Sequence, residues 1–463
     1  MSNVDFTSQD ARKALLRFSL PMMAFSILDY LGMFIGLGWL MALTASVELP
    51  ATFRLSATVV SILEAGFGGL LSAVYIYANQ AFGRKDHALA RYLINFGFGI
   101  AVVVGVLIAL FGDVIGRALL STFDVGPTVR FQTEQYLGVF WIGYVVVIVH
   151  LYGGMLAKMA GAISVIWRYK LAGLGASFVL TPLMIVLAER AGYDVLQATA
   201  LALIASRVIG LVVLGIELVR RNTFPFQLGV VFLPSRLFSE WGAMLRMAGA
   251  ETLNGFSLSL SFFFLFVILS YFEAGTLEAV TISQYLTGFF QTILMGVVAA
   301  IIPFAAQNAG NRNIDQIAIG VRWMTKWVFI GSLVVMVPFM LAAPALIGTF
   351  VPDPVMAARA LAYIQITALP WSLVMASFPF IFAVIGVGDS RGTLLLTIWS
   401  MYICNLLPVA GVRFLIGDDI RLAAYAEASG HLLTFIGCAL YYLRKEKQLR
   451  DDWSAPVLVG VPA

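Results

Sequence analysis

Four ionisable side chains interrupt segments that are otherwise apolar: Asp29, Glu64, Arg207 and Glu251. A charge at the centre of a bilayer costs about 2.5–3.5 kcal/mol on insertion scales, so each needs a partner or a task. A carboxyl group withdrawn from water holds its proton more tightly. Asp29 and Glu64 are therefore candidates for an ion-coupling site that loads a proton or a sodium ion on one side of the membrane and unloads it on the other. A guanidinium presents a rigid fork that grips an oxyanion with two hydrogen bonds, so Arg207 can hold an anionic or zwitterionic molecule. The alternative is internal, with Asp29 or Glu64 pairing with Arg207 and only locking the bundle. At about 1.5 Å per residue, Asp29 lies ~18 Å beyond Arg17, Glu64 ~14 Å into its helix and Arg207 ~18 Å into its own. All three reach one level near the middle of a hydrocarbon core of about 30 Å.

A second set is amide-rich. Glu251, Asn254, Ser257 and Ser261 recur at helical spacing and share one face, and Gln284 and Gln291 share another. Glu251, Asn254, Gln284 and Gln291 are candidate substrate-binding residues in the second half of the chain. Glu251 lies only about 8 Å from the basic end of its helix, where Arg246 or water is an alternative partner. The pattern excludes several chemistries. Gly386-x-Gly388-Asp389 matches the GxGD of intramembrane aspartyl proteases, but its nominal partner Asp194 falls at the opposite end of the segments. His87, His150 and His431 have no metal-ligand spacing, and Cys404 and Cys438 read as small hydrophobes inside apolar runs. No enzyme, metal or cofactor is expected, apart from the coupling ion.

These residues are carried by apolar segments. Hydrophobic residues make up 60% of the chain and charged residues 12%, with mean hydropathy +0.92. Twelve stretches are long enough to span a bilayer: 15–43, 55–81, 92–112, 134–156, 161–188, 195–219, 245–271, 277–306, 320–347, 357–386, 393–415 and 421–443. With both termini cytoplasmic, 21 of the 29 Lys and Arg fall on the inner side. The net charge of +4 thus describes one face of a membrane protein, not a nucleic-acid footprint. Asp5 and Asp10 and the length of the first apolar run argue against a cleaved signal peptide. The longest polar connection separates an N-lobe (1–219) from a C-lobe (247–443), with 220–246 as a cytoplasmic linker and 444–463 as a tail. The linker's Phe224, Phe226, Phe232, Phe238 and Trp241 suit a segment lying at the membrane interface. Pro370 and Pro379, two breaks in one helix, form a candidate hinge.

The two halves repeat one another. Gln80-x-x-Gly83 returns as Gln307-x-x-Gly310, Gly161 as Gly388, and Thr122-Phe123-x-x-x-Pro127 with Tyr136 as Thr349-Phe350-x-x-x-Pro354 with Tyr363, all 227 residues later. Duplicated bundles suit a protein that opens one site to either side in turn. Leu20-Pro21, Asn79-Gln80-Ala81-Phe82-Gly83, Lys158-Met159-Ala160-Gly161, Leu180-Thr181-Pro182-Leu183, Pro303-x-x-x-Gln307-Asn308-x-Gly310 and Gly386-Val387-Gly388-Asp389 follow in an order that resembles the multidrug and toxic compound extrusion (MATE) family over nearly the whole chain. The resemblance implies a V-shaped pair of six-helix bundles exporting a substrate in exchange for protons or sodium ions. It also marks departures. Helix one reads Met33-Phe34-Ile35-Gly36 where family members often carry an Asp, Thr181 stands where many carry another, and helix ten has no acid between Ala368 and Ile385.

The expectation is an all-α integral membrane protein with twelve transmembrane helices in two pseudo-symmetric six-helix bundles. The expected activity is secondary active antiport in a bacterial inner membrane, by a monomer acting on a small-molecule substrate and in contact with lipid. The alternatives are a lipid-linked or polysaccharide flippase of the same wider superfamily, or a membrane scaffold that transports nothing.

Overall fold

The computed structural model describes residues 4–44, 49–121, 126–235, 238–273, 275–351 and 353–454. The described residues of the apolar runs fold into helices, as backbone groups in hydrocarbon must be satisfied within the segment. The helices are α1 (Ala11–Thr44), α2 (Leu49–Gly83), α3 (His87–Leu120), α4 (Pro127–Ile142), α5 (Tyr144–Met159), α6 (Ile163–Ala191), α7 (Val195–Arg220), α8 (Trp241–Ser270), α9 (Thr276–Val298), α10 (Ile301–Gly310), α11 (Ile314–Phe350) and α12 (Pro354–Gly386). Next comes α13 (Ser390–Ile416), which widens into π-helix over Ile398–Leu406 and again over Val412–Ile416, and then α14 (Ile420–Ser454). Among the described residues, nine helices are long and apolar enough to cross a membrane, or ten when α4 and α5 count as one span. The fold is that of an all-α, multi-pass membrane protein.

One expected span differs in form. The run 134–156 is divided at Gly143, where α4 and α5 meet at 63°. A Cβ at Gly143 would stand 2.3 Å from Ile204 Cδ1, so the break lets the backbone come close to α7. Its counterpart 227 residues on is Pro370, which stays inside the unbroken α12, as does Pro379.

The chain divides into two compact units. Unit 1 comprises Met1–Asp5 and Pro21–Gly255; unit 2 comprises Phe6–Leu20 and Phe256–Ala463. Both α1 and α8 therefore change unit partway along. In unit 2 the start of α1 is tied down by Asn308 Nδ2 donating to the Phe6 carbonyl (2.9 Å), by Ala11 N–H donating to Gln316 Oε1 (2.9 Å) and by Ser19 Oγ donating to the Val297 carbonyl (3.1 Å). In unit 1 the start of α8 lies against α2, where a Cβ on Gly69 would come within 2.4 Å of the Thr252 backbone nitrogen.

The duplication is visible atom by atom. Lys85 and Arg312 both adopt positive φ, 61° and 54°. In the residues that follow, Asp86 N–H donates to the Ala81 carbonyl (3.0 Å) and Asn313 N–H to the Asn308 carbonyl (2.9 Å). The same two residues cap the next helices, Asp86 Oδ1 accepting from Leu89 N–H and Asn313 Oδ1 from Gln316 N–H. Gly161 and Gly388 repeat a left-handed turn at 61° and 88°. Thr122 and Phe123, which open the repeated loop in the first half, lie outside the described residues. Each unit also clamps a buried glutamate between two arginines: Glu217 of α7 with Arg168 (2.8 Å) and Arg221 (2.7 Å) in unit 1, Glu446 of α14 with Arg322 (2.9 Å) and Arg450 (3.0 Å) in unit 2.

Candidate functional site

Unit 1 contains a cavity of about 580 Å³. Its lining runs from Thr199, one turn into α7, to Lys158 at the end of α5, so it follows the helices through much of their length. Both Glu64 and Arg207 face it. Glu64 is exposed to this space, and its charge interacts with that of Arg207. One wall is aromatic: Phe53 meets Tyr136 at 5.1 Å, Tyr136 stacks on Phe140 at 6.0 Å, and the Arg207 guanidinium lies 5.8 Å from the Phe140 ring centroid. Another wall adds His150, whose ring meets Tyr169 at 5.3 Å, and Lys170 beside the same tyrosine. Pro182 interrupts the α6 hydrogen-bond ladder next to Thr181, a cavity-lining hydroxyl.

A space of this size fits one small organic molecule. Among its described side chains are three cationic groups, Arg207, Lys158 and Lys170, and one acid, Glu64. The aromatic rings offer flat apolar surface and the guanidinium a directional grip on an oxyanion.

The structure thus brings Glu64 and Arg207 to one cavity. Asp29 belongs to α1 and follows Leu28, which lines the cavity, but its side chain lies outside the described residues. Glu251 and Asn254 sit on the part of α8 that packs with unit 1, and neither is among the residues lining this cavity. Glu251 is buried, and its Oε1 has no hydrogen-bond partner among the described residues. Gln284 and Gln291 lie on α9 in unit 2, both partly buried.

Sequence reasoning left the cavity's His150, Lys158, Lys170, Phe53 and Phe140 unassigned. Lys170 read only as positive charge at one end of the helices, Lys158 as such a charge and as part of the segment Lys158-Met159-Ala160-Gly161, and Tyr136 only as a repeat landmark. Asp389 proves to be a helix cap. Its carboxylate accepts from Gly392 N–H (3.0 Å) and Tyr441 Oη (3.0 Å) and pairs with Lys445 Nζ (3.1 Å). Burial pushes its pKa up, but these donors outweigh burial and hold the carboxyl below its ordinary range.

The linker packs inward more than its composition suggests. Asn95 Oδ1 accepts from Gly229 N–H (2.8 Å), and the Asn95 carbonyl accepts from Val231 N–H (3.0 Å). Phe238 and Trp241 join Tyr77 and Phe96 in an aromatic cluster. Phe232 and Leu233 remain outward, 57% and 76% exposed.

Comparison with known proteins agrees with this architecture. The family model MatE matches residues 252–410. The multidrug export protein MepA of Staphylococcus aureus (strain MRSA252) is 24% identical over 457 residues, covering 96% of this chain and 97% of that protein. A crystal structure of MATE in complex with MaL6 superposes with a TM-score of 0.86 at 19% identity, covering 97% of this chain and 100% of the other. A MOP superfamily transporter from Pyrococcus furiosus, whose pocket is described as having reverse polarity that suggests a different function, superposes with a TM-score of 0.86 at 19% identity, covering 97% and 99%. The family match over residues 252–410, relatives that cover nearly the whole chain and a shared fold show that this chain is similar to transporters of the MATE family and has their fold.

Proposed function

We propose that the chain is a secondary active exporter that moves a small organic molecule out of the cell by alternating access, in exchange for protons or sodium ions. The reading is carried by the cavity of unit 1, where an acid and a guanidinium deep in the helices face one space large enough for a substrate. Glu64, with Asp29 on the neighbouring helix, loads the coupling ion; Arg207 and the aromatic wall of Phe53, Tyr136 and Phe140 receive the substrate. Glu251 and Asn254, together with Gln284 and Gln291, contribute further polar groups along the route. The excess of Lys and Arg at one end of the helices supports cytoplasmic termini in a bacterial inner membrane. The relative named as a multidrug export protein supports export as the direction. One charge moving across 100 mV provides about 2.3 kcal/mol, enough for a substrate gradient of roughly fifty-fold.

The cavity's charge favours a second reading of the cargo. Three cationic groups face one described acid, which suits an organic anion or zwitterion better than an organic cation, and one structural neighbour is described as having a pocket of reverse polarity. Flux into vesicles with an imposed pH or sodium gradient, using an organic cation and an organic anion as separate probes, tests both readings. Asp29→Asn and Glu64→Gln are expected to abolish dependence on the gradient, and Arg207→Ala to lower flux of the anion. Normal flux in all three variants would remove these residues from the mechanism.

A further inference from the structure

Unit 2 holds a buried polar cluster that the substrate cavity does not use. Glu427 and His431 lie on one face of α14, at i and i+4, roughly 10 Å and 16 Å along the helix from Ile420. Glu427 Oε1 is 3.7 Å from His431 Nε2, and the two side chains are 12% and 7% exposed. The Tyr363 hydroxyl, from α12, donates to Glu427 Oε2. Asn405, from the π-helical part of α13, also bonds the carboxylate, and Gln284 of α9 bonds Tyr363. Ionisable side chains withdrawn from water in this way are costly unless they are paired or have a task.

Two features point to a ligand instead of simple packing. His431 Nδ1 is buried and has no hydrogen-bond partner among the described residues. With Nε2 turned toward the carboxylate, Nδ1 offers a lone pair with nothing upon it. The second is the shape of the neighbouring helix. A Cβ on Gly430 would stand 1.6 Å from the Cys404 carbonyl oxygen, so the glycine lets α14 close onto the widened turn that delivers Asn405. Widened turns of this kind recur at functional sites.

We infer that Glu427, His431 and Tyr363 form a proton-binding site in unit 2. A proton from water bonds to the lone pair of the imidazole, giving an imidazolium held by the Glu427 carboxylate. Its return to water leaves the carboxylate stabilised by Tyr363 and Asn405. The site thus carries one net negative charge when empty and none when loaded, and a buried pair with no net charge is the cheaper state away from water. The carboxylate oxygens are engaged by N–H and O–H donors, an arrangement suited to a proton more than to a metal ion. The facing groups on each neighbour are accounted for. Tyr363 and His431 are the titratable groups that meet the carboxylate, α9 and α13 present the neutral Gln284 and Asn405, and α8 presents Leu265 and Leu269 to the same apolar layer as Tyr363. The cations on these helices lie elsewhere: on α11, Arg322 pairs with Glu446 and Lys326 lies 5.9 Å from the Trp327 ring centroid, on α12 Arg359 pairs with Glu273, and at the end of α13 Arg413 pairs with Asp418.

Binding of the proton stands by itself; its use as the coupling ion rests on the exporter reading. The test has two arms on the full chain in lipid. In the first, infrared difference spectra are taken from about pH 5 to about pH 8, the window in which imidazole ordinarily changes charge. Wild type is expected to take up about one proton more than Glu427→Gln or His431→Gln, and Tyr363→Phe, which keeps every charge, to shift the midpoint of that step. Identical uptake in wild type and both variants overturns the site. Melting temperatures identify any variant that does not fold, in which case Tyr363→Phe decides. The second arm measures ethidium and carboxyfluorescein flux in proteoliposomes. Loss of pH-driven flux by about tenfold, with downhill exchange retained, supports coupling; unchanged pH-driven flux in Glu427→Gln overturns it. A wild type that binds the proton but moves neither probe overturns the coupling role and leaves the site standing.

Discussion

Arg207 and Gly430 each make a sharp prediction from a single side chain. Arg207 keeps its guanidinium at the Phe140 ring while lining the cavity. Arg207→Lys retains the charge and loses the planar fork. Flux of a carboxylate probe is expected to fall about tenfold, the equivalent of one charged hydrogen bond, while flux of an organic cation does not fall; equal loss of both would argue that the residue only braces the bundle. Gly430 faces backbone, so Gly430→Ala forces two helices apart and is expected to lower stability by about 1–3 kcal/mol, read as a lower melting temperature in detergent. Gly411→Ala is the control, since a Cβ there meets nothing within 4 Å; in a helix interior it should be neutral or stabilising by up to about 1 kcal/mol. The residue scale is also where the sequence misled by omission. Glu427 sits near the end of its run, where an acid reads as solvated, and Tyr363 reads as a repeat landmark. Only the folded chain brings the two together across a separation of 64 residues.

Asp389 shows how an element is fixed at its start. The residue caps α13 and ties it to Tyr441 and Lys445 of α14. Asp389→Ala removes the cap and leaves Lys445 without its carboxylate, at an expected cost of about 2 kcal/mol. Because the folded carboxyl lies below its ordinary range, its contribution is fully present above the unfolded value of about 3.9 and fades as pH falls through the folded one. The melting-temperature gap between wild type and Asp389→Ala should therefore be constant from neutral pH to about pH 5 and shrink in stronger acid; a gap that widens on acidification would contradict the assignment. The all-helical, multi-pass character was legible because the apolar runs are long and flanked by charge, whereas nine or ten of the twelve expected spans are long and apolar enough among the described residues. The break at Gly143 was not legible. A glycine within apolar sequence reads the same whether the helix bends there or continues, and the outcome was set by how close α7 comes. The reverse holds at Pro370, where a residue that ordinarily disrupts helices lies inside a continuous one.

The whole molecule is one plan used twice and then altered. Repeated turns at Lys85 and Arg312 and at Gly161 and Gly388 keep the scaffold in step, while the chemistry has diverged. Tyr136 stands in a cavity with Arg207 in unit 1, whereas its repeat Tyr363 stands against Glu427 in unit 2. The duplication was legible from spacing alone, since a shared offset survives when most identities are lost; the opposite charges beside the repeated tyrosine were not, because Arg207 and Glu427 do not occupy the same repeat position. The helices α1 and α8 each begin in one unit and finish in the other. Each half of the gene therefore encodes an unfinished object: the first lends its opening helical turns to the second and borrows the opening turns of the second in return. A protease site inserted between Phe226 and Gly229 and cut after purification should leave two pieces that still elute together, whereas residues 1–240 made alone should aggregate. If they do, the two opening helical turns, and not the covalent join at the linker, are what each unit depends on in the other half of the chain.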